Sequence, residues 1–339
     1  MKPRGTHLVG SVPLESSEAV FRAVAETIGD RLVRVPDGET GERADWIGWQ
    51  MPVLFDNAAC EVMPPDPSDY RPSPHAKLRD GVDPATVDFR PLGYARAARD
   101  SFAVFTRLKR EGVLSARMRF QVSLPTPLAP IHAFAWPASK AALEAPYERA
   151  LLAELDLILE SIPHDQLAIQ WDCAIEMGML EGRTPLFFDG GTDALYDRMA
   201  RPADHVPPDV EVGYHLCYGD FSHRHYMTIP DASKCVEAAN ELTRRVTRRL
   251  DWIHFPVPRD RFDDAYIAPA RDLRLRPETR IFVGLIHLTD GVEGTRRRVE
   301  TASRVLDDFG VATECGFGRR PPTTIPELLR EHAEVTAPV

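Results

Sequence analysis

Residues able to bind a soft metal ion stand at two distant places in the chain. His215-Leu216-Cys217 follows Val210-Glu211-Val212-Gly213-Tyr214, whose apolar and small residues read as a buried strand. Residues two apart on a strand point to the same side, so the imidazole of His215 and the thiol of Cys217 can meet one ion. Imidazole nitrogen and thiolate sulfur are preferred zinc ligands. Cys315 adds a second thiol near the other end of the chain. Three protein ligands with an open fourth place is the catalytic zinc pattern. The plainer alternative is a core histidine beside core cysteines, since cysteine often serves as a small buried hydrophobe.

To bring these residues together the chain needs a frame, and its periodicity describes one. Short apolar runs read as strands at 8–13, 31–36, 118–125, 167–172, 210–217, 252–257, 280–287 and 311–317. Amphipathic stretches read as helices at 15–28, 94–111, 139–162, 193–199, 232–250, 294–309 and 325–332. Strands alternating with helices predict an α/β fold: a single (β/α)8 TIM-type barrel with loop insertions, one domain over 1–339. A doubly wound open sheet is the alternative, but no G-x-G-x-x-G follows the first strand. Residues 57–90 form a proline-rich insertion with little periodicity, the kind of loop that serves as a lid or a subunit contact and leaves room for a homo-oligomer. The prolines between Pro125 and Pro137 also predict a loop.

Barrel enzymes carry their chemistry at the C-terminal strand ends. Here those ends hold Ser11, Glu39, Ser123, Asp172, His215 with Cys217, His254, His287 and Cys315. A convergence of that kind favours an enzyme over a binding scaffold.

Composition excludes several other classes. A net charge of -10 opposes a nucleic-acid surface and an anionic membrane. No apolar run approaches the roughly 20 residues that span a bilayer. The N-terminus runs into a strand pattern without a cleavage-type segment, which predicts a soluble cytoplasmic protein. Five scattered cysteines make a poor disulfide framework and suit reduced thiols. Cys60 and Cys235 read as structural.

Several segments resemble cobalamin-independent methionine synthase, in the same order, from about residue 7 to 320. His215-Leu216-Cys217-Tyr218 looks like that family's H-x-C-Y segment, and Glu314-Cys315-Gly316-Phe317-Gly318-Arg319 like its D-C-G-L-x-x-R segment. Leu8-Val9-Gly10-Ser11-Val12-Pro13 is similar to its I-G-S-F-P start, and Gly38-Glu39 with Arg43 and Asp45 to its H-G-E-x-x-R-x-D loop. Ile169-Gln170-Trp171-Asp172 looks like I-Q-I-D, and Ile286-His287 like part of D-I-H-S.

The resemblance implies a barrel with Zn2+ held by His215, Cys217 and Cys315. It implies a thiol substrate held by Ser11, Glu39, Arg43 and Asp172, with His287 as proton donor and Asp172 also in the catalytic set. The chain departs from the family on its sixth strand. Matched on Arg259, the family's zinc glutamate falls on Pro256, which cannot bind metal; His254 on the same strand face would take over as ligand, or water or substrate would complete the shell. Cys173 replaces the glutamate that follows the aspartate, and one barrel stands where full-length members have two.

The expected activity is therefore zinc-dependent transfer of a methyl or alkyl group to a small thiol. The donor would be a folate, a corrinoid protein or a small electrophile. The alternative is a lyase or decarboxylase on the same barrel, as in the uroporphyrinogen decarboxylase relatives. His223 and His225 are candidates near the metal, Arg296, Arg297 and Arg298 for an anionic tail, and Trp46, Trp49 and Trp171 for stacking on a flat ring.

Overall fold

The computed structural model describes residues 2–65, 73–219 and 227–339. In chain order its first elements are α1 (Ser17–Ile28), β1 (Arg34–Pro36), α2 (Met51–Phe55), β2 (Cys60–Met63), β3 (His75–Leu78), α3 (Tyr94–Arg110) and β4 (Arg119–Pro125). They are followed by α4 (Leu128–Phe134), α5 (Lys140–Ser161), β5 (Leu167–Cys173), α6 (Ile175–Leu180), α7 (Gly191–Asp204) and β6 (Glu211–Leu216). The last are α8 (Ser233–Arg245), β7 (Trp252–Pro256), α9 (Asp264–Ile267), β8 (Arg280–Ile286), α10 (Gly291–Ala302), β9 (Gly310–Thr313) and α11 (Ile325–Val335).

Seven strands make one parallel sheet in the order β1-β4-β5-β6-β7-β8-β9. All seven residues of β5, Leu-Ala-Ile-Gln-Trp-Asp-Cys, are buried, as a strand covered on both faces requires. Helices supply the outer cover through apolar stripes. α1 buries Val20, Phe21, Val24 and Ile28, and its N-cap Ser16 accepts from the Ala19 amide at 3.2 Å. α3 buries Ala95, Ala98, Phe105 and Leu108.

The sheet curls as a half-barrel rather than a closed ring of eight ladders. The run at 8–13, expected as the first strand, forms no ladder among the described residues. Its segment is held instead by isolated parallel bridges, Thr6 to Val311 at one edge of the sheet and Ser11 to Gly38 beyond the other. The amides of His7 and Val12 donate to Val311 and Gly38 oxygens at 2.9 and 2.8 Å. Pro13 has no amide to continue the pairing, and Leu14 turns back onto Val12 O at 2.8 Å.

Two proline-rich stretches are more regular than their composition predicts. Within 57–90, β2 and β3 pair antiparallel, from Cys60 opposite Leu78 to Met63 opposite His75. Ala76 then bridges Ala135, which fastens the hairpin to the body of the protein. The stretch Pro125–Pro137 holds α4, not a loop. Pro127 is its N-cap and Pro130 lies in its first turn, where helix amides have no intrahelical partner to lose. α8 stops at Arg245 and α10 at Ala302, short of the expected ends. Among the described residues no helix is long and apolar enough to cross a membrane.

Candidate metal centre

Register across the sheet places three polar residues side by side. Asp172 on β5 is opposite His215 on β6, and His215 is opposite His254 on β7. Partners in a parallel ladder point to the same face. Cys217 lies just beyond β6, where its amide prolongs the ladder by donating to Cys173 O at 2.9 Å. Gly219 follows with φ of 75°, a left-handed conformation suited to glycine, and its amide donates to Cys217 Sγ at 3.2 Å.

Cys315 arrives from β9. The loop after that strand is pressed onto the N-terminal segment: Phe317 N donates to Ser11 O at 2.7 Å. A Cβ on Gly318 would stand 2.7 Å from Ser11 Cβ, so only glycine allows this approach. Thr313 Oγ1 donates to Cys315 O at 2.6 Å and shapes the turn.

The outcome is a compact group. One ligand atom each of His215, Cys217 and Cys315 lies within 4.8 Å of the other two. The two sulfurs are 3.5 Å apart. Two sulfurs held at about 2.3 Å by one tetrahedral ion would be about 3.8 Å apart, so the spacing suits a zinc-like cation. His215 Nε2 is buried and has no hydrogen-bond partner among the described residues. Burial, reinforced by His254 and His7 nearby, holds the His215 imidazole well below its usual range and thus neutral, as a ligand must be.

His254 does not join that group. Its Nδ1 is 2.7 Å from His215 Nδ1 and its Nε2 is 3.0 Å from the Thr313 carbonyl oxygen. Both ring nitrogens are therefore occupied, which corrects the expectation of a metal ligand. Burial lowers its pKa to about 3.

A second cluster adjoins the first. Ser11 Oγ donates to Glu39 Oε2 at 2.7 Å. Glu39 has φ of 50°, unusual for a residue with a side chain, and its amide is fixed by Asp37 Oδ1 at 2.9 Å. Arg43 reaches Asp37 at 2.5 Å rather than Glu39 directly. Burial raises the Glu39 carboxyl to about 7, against the pull of Ser11 and Arg43. Asp172 is pushed well above the carboxylate range, first by burial and then by the charge of Glu39, although Gln170 Nε2 donates to it at 2.8 Å. Two small adjoining cavities share Glu39, Arg43, Tyr94 and Ser123, and Trp46 and Trp49 line one of them.

His287 is buried, with Nε2 donating to Val257 O at 2.8 Å and Nδ1 3.6 Å from Glu314 Oε1. Glu314 precedes Cys315, so one turn carries a sulfur and a carboxyl that addresses His287.

Other candidates fall elsewhere. Arg298 is buried and spent on Asp290, Leu285 O and Arg259 O, so it is structural. Arg296 pairs at the surface with Glu334, and Arg297 lies over the Phe262 ring. Trp171 is core. Cys60 and Cys235 are buried, the latter with its sulfur 3.5 Å from Tyr218 Oη. His223 and His225 lie outside the described residues. Sequence reasoning assigned no role to Asp37, Gln170, Thr313 or Glu314. Each stands within two residues of an assigned one, which was the available signal.

No family model and no curated protein matches this chain. Among solved structures, that of the Putative Vitamin-B12 Independent Methionine Synthase from Listeria monocytogenes is similar over 99% of this chain and 99% of that chain, with a TM-score of 0.56 and 14% identity. A likeness at that identity shows a shared fold.

Proposed function

We propose that this chain is an enzyme that activates a small thiol for methyl or alkyl transfer, with Zn2+ held by His215, Cys217 and Cys315. The single observation that carries this reading is the grouping of one imidazole and two sulfurs from distant parts of the chain within 4.8 Å. Bound there, zinc supplies the Lewis acidity that keeps an incoming thiol deprotonated near neutral pH. Ser11 and Glu39, with Asp172, hold the polar end of the substrate, and Arg43 steadies that loop through Asp37. As the new sulfur–carbon bond forms, the bond from carbon to its donor breaks. His287, addressed by Glu314, gives the departing atom a proton.

The donor is a methylated folate, a methylated corrinoid protein or a small electrophile. The frame is a (β/α)8-type barrel of one domain, in which the segment at 6–12 stands in for the missing strand. It works in the cytoplasm, alone or as a homo-oligomer.

A second reading rests on the two raised carboxyls. Glu39, at about 7, remains partly protonated near neutral pH and could serve a lyase or decarboxylase as an acid. Metal analysis of purified protein separates the two. We expect one zinc per chain and its loss in Cys217→Ser together with alkylation of a test thiol. Full activity in metal-free protein would overturn the transferase reading in favour of the lyase.

A further inference from the structure

The hydrogen bonds around His215 fix which of its nitrogens carries a proton. His254 Nε2 is 3.0 Å from the Thr313 carbonyl oxygen, which can only accept, so Nε2 bears the hydrogen. Both imidazoles are buried, which disfavours a charged ring. Neutral His254 then has a bare Nδ1. His215 Nδ1, 2.7 Å away, must donate to it. The lone pair of His215 is thereby left on Nε2, the buried atom with no hydrogen-bond partner among the described residues. An unmatched buried acceptor is unfavourable, and a cation there would offset that cost.

We infer that His254 is a positioning residue: with Thr313 it locks His215 in the tautomer whose Nε2 can hold a metal ion. This inference rests on the metal reading above. It assigns to a strand β7 histidine the task that a carboxylate or backbone carbonyl performs behind most metal-binding histidines. The two contacts come from different elements. β7 presents His254 at the register of His215, while β9 presents the Thr313 oxygen that dictates the His254 tautomer.

The test uses the full chain. Long-range proton–nitrogen spectra of zinc-free, histidine-labelled protein report each tautomer directly. We expect His215 with hydrogen on Nδ1 and His254 with hydrogen on Nε2. Zinc affinity, measured by chelator competition, should fall by about 10–100-fold in His254→Leu. It should stay within about fivefold of the parent in His254→Asn, whose amide oxygen can accept the His215 proton. A thermal melt checks each variant for folding, and if the leucine variant fails to fold, the spectra and the asparagine variant decide. Parent and His254→Leu binding zinc equally, or zinc-free His215 carrying its proton on Nε2, would overturn the role of His254 alone. Parent protein that takes up no zinc would overturn the metal reading and this inference together.

Discussion

Gly318 packs so closely against Ser11 that an added Cβ would meet the serine Cβ at 2.7 Å. The contact couples the turn bearing Cys315 to the segment bearing Ser11, and so joins the His215–Cys217–Cys315 group to the carboxyl cluster. Gly318→Ala should cost about 1–3 kcal/mol by overpacking and move Cys315 off its place. Zinc affinity, titrated at a temperature where the variant is folded, should drop at least tenfold. Unchanged affinity would show that this contact does not position the sulfur.

Glu39 should give the fold a measurable pH dependence. Its folded pKa, about 7, lies above its ordinary value of 4.5. The protonated form is thus favoured on folding. The contribution is fully present below pH 4.5 and is lost as pH rises through about 7. Its ceiling is on the order of 3 kcal/mol. Melts at pH 5 and pH 8 should show Glu39→Gln gaining on the parent at the higher pH. Parallel pH profiles for the two proteins would refute the assignment.

The sulfurs of Cys217 and Cys315, 3.5 Å apart, sit about 1.5 Å beyond bonding distance. Diamide, which accepts two electrons and two protons, should close them into a disulfide in zinc-stripped protein. Zinc-loaded protein should resist. Peptide mass mapping without reduction reads the outcome, and equal oxidation with and without zinc would mean that these thiols do not hold the ion.

His287 takes no part in the proposed metal group, so His287→Gln should retain zinc at full stoichiometry. Turnover of a thiol and its alkyl donor should fall at least a hundredfold, as general acid–base removal typically costs. Zinc loss in this variant, with activity falling in step, would place His287 on the metal instead.

Most of the frame was legible from period and punctuation. The continuous apolar runs of β4 to β8 and the stripes of α1 and α3 are strong local signals, and the structure has them where the pattern places them. The His-x-Cys spacing likewise located two of the three grouped side chains, and the late Cys315 the third. What misled was context. Leu8–Pro13 has strand composition, yet its pairing depends on two sheet edges far away in sequence. Pro127 and Pro130 look like loop residues until the first turn of α4 makes their missing amides irrelevant. His254 has the chemistry of a ligand, and only its contacts with His215 and with the carbonyl of Thr313, 59 residues away, show that its nitrogens are taken.

Strand β9 enters the candidate metal centre twice. It leads into the turn that carries Cys315, and its Thr313 oxygen sets the proton on His254 and, through it, on His215. A slip of one residue along that edge would withdraw a sulfur and unlatch the imidazole in a single event. Under the proposed metal reading, ion capture is tied to correct docking of the last sheet strand, and a partly assembled chain would offer a metal neither donor in working form.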